Sequence, residues 1–311
     1  MPKVGQPLLV LVRPDRLGDA ILSSTVLAPT LRAYGKTHRL IWSVRGDYVP
    51  LFDGISGIES LSCETLHAAL SSQKDTNIIF LNPDTELENQ LSASGTIFTW
   101  GKTLPDERKL CLRPEAEEAA ILMKAARFPI ESPGYPLVIP KEPLHSASLP
   151  PGPYIILHIS AYGKKPTLPV ETLLELTVHF QHAGNTVVWL GLDERPDSQW
   201  LGRLSMESKA IAINRPTIPE LYPILKNADG VIGRDSGVCH LAAAIGTPTV
   251  AIVGPLGKRK AARRWSPVGQ RVKIIEADLK PRWWESDLVY QNRCFAAVKA
   301  VEIAEALEKL M

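Results

Sequence analysis

The chain has 311 residues, 45% hydrophobic and 22% charged, which suffices for two medium α/β domains and argues against a disordered or low-complexity chain. Its net charge of +2 does not by itself ask for a nucleic-acid partner, and none is expected. Cys63, Cys111, Cys239 and Cys294 lie far apart with no CxxC pair, so they suggest neither a zinc ribbon nor a thioredoxin-type redox motif and read as reduced structural thiols.

The apolar run at residues 8–12 gives way at once to Arg13 and Asp15. It falls far short of the ~20 residues a membrane span needs, so a cytosolic chain is expected. That run reads as a strand, and residues 19–34, stopping at Gly35, read as one amphipathic helix. Residues 40–44 and 78–81 are further strands, the second ending in the turn Asn82-Pro83-Asp84. Strands alternating with helices imply a parallel sheet, so the first half reads as Rossmann-like.

A proline-dense stretch at residues 131–153 disfavours helix and central strand, and the linker is placed there, giving domains 1–150 and 151–311. The plan then restarts. Strands are expected at 154–158, 186–190, 230–233 and 249–253, with helices at 169–183, 218–227 and 236–245. A last helix at 298–310 carries Val301, Ala304, Ala306 and Leu307 to pack back on a domain, the N-terminal one included.

The most informative segment is ADGVIGRDSGVCHLAAAIGTPTVAIVGP, residues 228–255, in which a buried-type strand enters a polar turn and then a helix. Asp235 and Ser236 are good N-cap types, Gly237 lets a ligand approach the backbone, and Gly246 before Thr247-Pro248 stops the helix. A helix start of this kind offers N–H groups and a favourable dipole to a diphosphate, although a plain capped helix has the same spacing. His240 stands near the first turn, within reach of a phosphate on that side. Asp, Ser and His within six residues are no hydrolase signature, because a triad draws on separate elements and no GxSxG elbow occurs.

The second segment is the RPDRLGD turn with Arg13, Arg16, Gly18 and Asp19. No GxGxxG fingerprint occurs in the chain, which removes the main support for dinucleotide chemistry. Asp19 is either the N-cap of the first helix or a carboxylate placed as general base.

These two segments together resemble the family-nine glycosyltransferases, chiefly the ADP-heptose:lipopolysaccharide heptosyltransferases. The resemblance rests on R-x-x-R-L-G-D ending at Asp19 and on D-S-G-x-x-H-L-A beginning at Asp235. LGLDE ending at Glu194, VGP ending at Pro255, RWSP beginning at Arg264 and a helical piece beginning at Cys294 follow in the family's order. The resemblance implies an α/β fold of GT-B architecture, two Rossmann-like domains facing across a cleft, with acceptor domain first and nucleotide-sugar donor domain second. It implies that Asp19 deprotonates the acceptor hydroxyl in an inverting transfer. Asp235 then holds donor sugar hydroxyls, Ser236, Gly237 and His240 hold the diphosphate, and Glu194 accepts from the ribose. Arg13, Arg16 and Gly18 are acceptor or phosphate candidates. Lys164 or Lys165 neutralises the leaving phosphate; the family's usual Lys-x-Trp-Pro is replaced here by KKPTLP, which keeps both lysines as candidates.

No DxD triplet and no His/Cys cluster is present, so no metal and no cofactor is expected beyond the donor substrate, taken as ADP-linked. Expected partners are that nucleotide sugar and a glycan or glycolipid acceptor, with the protein a monomer. Residues 258–282 hold nine Lys/Arg against Glu276 and Asp278, a segment suited to phosphates or to an anionic membrane at the inner face of the cytoplasmic membrane. Two other classes fit the same donor half: a sugar-nucleotide epimerase of GT-B-like fold, and a non-catalytic nucleotide-sugar binding module.

Overall fold

The computed structural model describes residues 6–71, 73, 75–104, 114–144, 149–160, 168–191, 198–255 and 262–311. The chain divides into two compact units, Met1–Pro143 and Leu144–Met311. The division falls inside the proline-dense stretch, whose first part is no free tether. Gly134 N donates to Thr25 O, Leu137 N to Ser24 Oγ and Lys141 N to Asp53 Oδ1, while Ile139 O accepts from Gly54 N. Prolines cannot join a ladder, so the remaining polar backbone groups find single partners on the first unit.

In the first unit, strands β1 (Leu8–Arg13), β2 (Arg39–Val44), β3 (Ile58–Ser62), β4 (Thr76–Phe80) and β5 (Thr96–Thr99) form a parallel sheet in the order β3-β2-β1-β4-β5. Helices α1 (Leu17–Ser23), α2 (Leu27–Tyr34), α3 (Leu66–Leu70), α4 (Thr85–Leu91) and α5 (Glu115–Ala125) connect and cover it. β1 is buried along its whole length, as a central strand covered on both faces must be. The single helix expected at 19–34 is broken by a 3-10 turn at Ser24–Val26. Pro29 has no N–H to give to Thr25 O, which accepts instead from Gly134 N, and the Ser24 and Thr25 hydroxyls bond back to Ile21 O and Leu22 O.

The second unit has strands β6 (Tyr154–His158), β7 (Thr186–Leu190), β8 (Ile211–Ile213), β9 (Gly230–Arg234), β10 (Thr249–Val253) and β11 (Val272–Glu276). They form a parallel sheet in the order β11-β10-β9-β6-β7-β8. Its helices are α6 (Val170–His182), α7 (Ser198–Glu207), α8 (Ile218–Lys226), α9 (Gly237–Ala244), α10 (Ala262–Trp265), α11 (Asp287–Ala297) and α12 (Ala300–Glu308). The helix expected at 298–310 is α12, and a further helix, α11, precedes it, the two parted at Val298, whose ψ of 126° leaves the helical region. α12 packs on α6 and on strands of its own unit, with the Leu307 side chain against the start of β9, where a Cβ on Gly230 would meet it at 2.7 Å. No helix among the described residues is long and apolar enough to cross a membrane.

Candidate active site

In each sheet the strand order reverses once, between β1 and β4 in the first unit and between β6 and β9 in the second. Connections leave such a point toward opposite faces and open a crevice at the carboxyl ends of the strands, where ligands of open α/β sheets bind. The sequence-derived candidates of each unit that fall among the described residues gather at these two points.

In the first unit β1 ends at Arg13, which is 3% exposed. Its Nη1 donates to Leu81 O, just beyond β4, at 2.9 Å and lies 2.9 Å from Glu115 Oε1 in the first turn of α5. Nη2 stands 3.4 Å from Asp19 Oδ1, and Nε lies 3.0 Å from Asp15 Oδ2 as an ion contact without hydrogen-bond alignment. Asp15 Oδ1 in turn accepts from Asn82 Nδ2 at 2.8 Å. One guanidinium thus gathers three carboxylates, two from the segment that follows β1 and one from α5, a geometry its planar fork of donors suits. Two expectations change here. Arg13 faces inward onto carboxylates and holds Asp19 in place, rather than standing out to meet a phosphate. Asp19 is not the N-cap; that position is Arg16, and Asp19 sits in the first turn of α1, with its side chain 21% exposed and its carboxylate favoured by the helix dipole. Gly18 lies half-buried in the same turn, and Arg16 is exposed. Tyr48, buried nearby, has its phenol pushed up chiefly by burial, with Asp19 a smaller contributor.

In the second unit Ser236 is the N-cap of α9, extended at φ −161° and ψ 159°, and its Oγ accepts from Cys239 N at 3.4 Å. The first N–H groups of α9 have no acceptor within the helix and form its anion-ready end, at which Gly237 is the first residue. The far end closes as expected at Gly246, whose φ of +85° is costly for other residues, with Gly246 N and Thr247 N returning to Ala243 O and Ala242 O. His240, 3% exposed, places Nε2 3.2 Å from Asp235 Oδ1, and its Nδ1 has no hydrogen-bond partner among the described residues. Burial pushes the Cys239 thiol up to about 12, which leaves it a neutral packing group.

Two residues of this site escaped the sequence reading. His158, the last residue of β6, lies between Ser236 Oγ, 3.1 Å from Nδ1, and Ser160 Oγ, 2.7 Å from Nε2. The residue as a whole is half-buried, and desolvation of its ring, aided by the charge of Arg234, lowers its pKa to about 4. Arg234, the last residue of β9, lies over the Phe295 ring with Cζ 5.6 Å from the centroid, and burial lowers its pKa. Neither residue belongs to a recognisable spacing; the one available signal was a polar side chain closing a buried strand. Lys164, Lys165 and Glu194 lie outside the described residues.

Solved structures with this architecture span essentially the whole chain. They include Escherichia coli ADP-heptose lps heptosyltransferase II, at 16% identity and TM-score 0.70 over 97% of this chain and 98% of that one. A glycosyl transferase family 9 structure from Veillonella parvula DSM 2008 matches at 15% identity and TM-score 0.74, over 98% and 97%. E. coli heptosyltransferase WaaC, solved with ADP, matches at 14% and TM-score 0.68, over 97% and 99%. No curated protein matches by sequence. Two Rossmann-like units in succession, with this likeness, show the GT-B fold. The family model of glycosyltransferase family 9 (heptosyltransferase) matches residues 129–288, just over half of the sequence. The chain belongs to that family.

Proposed function

We propose that this enzyme moves heptose from ADP-heptose to a hydroxyl of a lipopolysaccharide-core or other glycan acceptor, with inversion and without a metal ion. The observation that carries the donor reading is the start of α9 at the strand-order reversal, where Ser236 and the Asp235–His240 pair stand beside N–H groups with no helical acceptor. ADP as the nucleotide is supported by the related WaaC, solved with ADP.

In the proposed reaction the Asp19 carboxylate, held by Arg13, takes the acceptor hydroxyl proton as that oxygen bonds to the anomeric carbon of the donor. The bond from that carbon to the diphosphate oxygen breaks, and its electron pair leaves with ADP. The α9 N-terminus, Gly237, Ser236 and His240, with Lys164 or Lys165, meet the charge of the leaving group. Asp235 holds sugar hydroxyls and Glu194 the ribose. Arg16 and Gly18 remain on the acceptor side. Peripheral contact with an anionic membrane surface is part of the proposal, supported by the basic character of residues 258–282 and by the exposed Trp283 and Trp284 that follow.

A thermal-shift series with ADP, UDP and GDP tests the donor assignment. ADP at a hundred times its dissociation constant adds about 2.7 kcal/mol and a readable rise in Tm. Failure of all three nucleotides to stabilise the protein would overturn the assignment; a larger shift with UDP or GDP would replace the nucleotide.

A further inference from the structure

We propose that His158 is a positioning residue of the donor site, acting as its Nδ1–H tautomer to donate to Ser236 Oγ and so leave the Ser236 proton free for the donor's phosphate. The proposal rests on the reading that Ser236 faces the diphosphate.

A neutral imidazole has one N–H and one lone-pair nitrogen, and His158 has a hydroxyl against each. Two proton arrangements satisfy both contacts. In one, Ser160 donates to Nε2 and Nδ1–H donates to Ser236 Oγ. In the other, Ser236 donates to Nδ1 and Nε2–H donates to Ser160. Ser236 Oγ already accepts from Cys239 N as the helix cap. In the first arrangement both its lone pairs are engaged and its proton is left over. In the second its proton is spent on His158, and it turns a lone pair toward any anion at the helix start. An anion therefore separates the two tautomers by a charge-assisted hydrogen bond gained in one and a repulsion met in the other.

The surroundings hold the ring for this task. A Cβ on Gly233 would lie 3.0 Å from His158 Cβ and 2.8 Å from Cys239 Sγ, so only glycine lets β9 bring the imidazole and the first turn of α9 this close. On the other side, Gly191 at φ +83° makes room for Ser160, whose Cβ would be 2.6 Å from an added one. A doubly protonated ring would donate at both nitrogens and is opposed by burial and by the Arg234 charge.

The test uses the full chain labelled with ¹⁵N-histidine and ADP as the probe. The His158 signals, assigned by their loss in His158→Asn, are expected to show a protonated Nδ1 and a bare Nε2 in the ADP complex at pH 7. A protonated Nε2, or an imidazolium, in that complex overturns the proposal. As a second measurement, the amide nitrogen of His158→Asn stands near the place of Nδ1 and that of His158→Gln near Nε2. The Asn variant is expected to bind ADP at least about fivefold more tightly than the Gln variant, roughly the worth of one hydrogen bond; equal affinities, or the reverse order, overturn the proposal. Ser236→Ala separates the two levels. Unchanged ADP affinity in that variant removes the donor reading and the proposal with it. Weakened affinity together with an Nε2–H ring in the wild type keeps the donor reading and removes the tautomer assignment alone.

Discussion

Acidification from pH 7 to pH 4.5 is expected to destabilise the second unit by an amount that His158 contributes. In the folded chain its pKa is lowered from 6.5 to about 4. Above pH 6.5 the ring is neutral in both states and costs nothing. Between 6.5 and 4 the unfolded chain binds a proton that the folded chain does not, so stability falls as pH falls, at about 1.4 kcal/mol per unit. Below about 4 both states are protonated and the loss levels off. At pH 4.5 the full shift would remove roughly 2.7 kcal/mol; because His158 as a residue is only half-buried, solvent screening brings the expected loss to about 2 kcal/mol. His158→Asn has no proton to bind, so subtracting its pH dependence from that of the wild type isolates this contribution. Urea unfolding at several pH values, read at the transition of the unit whose core holds Trp189, supplies the numbers. A stability difference between the two proteins that stays constant within about 0.5 kcal/mol from pH 7 to 4.5 would mean that His158 takes up no such proton on unfolding.

Further outcomes follow from the same geometry. Arg13→Met removes the guanidinium that faces the buried Glu115 and donates to Leu81 O, and should cost about 3–5 kcal/mol in urea unfolding. Adding Glu115→Gln to that variant should recover part of the loss; strictly additive costs would show that the pair is not coupled. His240→Ala is expected to weaken ADP binding about tenfold by calorimetry, and an unchanged affinity would remove His240 from the site. Transfer activity should survive exhaustive EDTA treatment; loss restored by magnesium or manganese would contradict the metal-free reaction.

The strands at the centre of both sheets were legible because burial on both faces demands continuous apolar runs, as in LLVLV of β1, YIIL of β6 and TVAIV of β10. The edge strands β3, β5, β8 and β11 are partly exposed and of mixed polarity, so no such run marks them. The capped start of α9 was legible as local chemistry, since an N-cap and its bonded N–H lie three residues apart. The Arg13 cluster was not, because Glu115 and Leu81 reach the guanidinium from distant parts of the sequence. Asp19 has the residue type of a cap, but the chain enters α1 at Arg16, and no spacing signal distinguishes a cap from a third helical position when the preceding turn is irregular. His158 stayed hidden for the same reason as Arg13: its partner Ser236 is supplied by a strand-to-helix turn 78 residues away.

Asp19→Asn tests whether Asp19 is the base of the proposed glycosyl transfer. The amide keeps the size of the side chain and an oxygen to face Arg13, but it cannot take the acceptor proton. Initial rates of transfer from ADP-heptose to a lipopolysaccharide-core acceptor, measured beside Tm and ADP affinity, give the answer. The expected result is a loss of at least about a hundredfold in rate with fold and ADP affinity retained, in keeping with the factor of about 10²–10⁴ that a positioned base contributes. A variant that transfers at the wild-type rate, or whose loss is matched by unfolding, would contradict it.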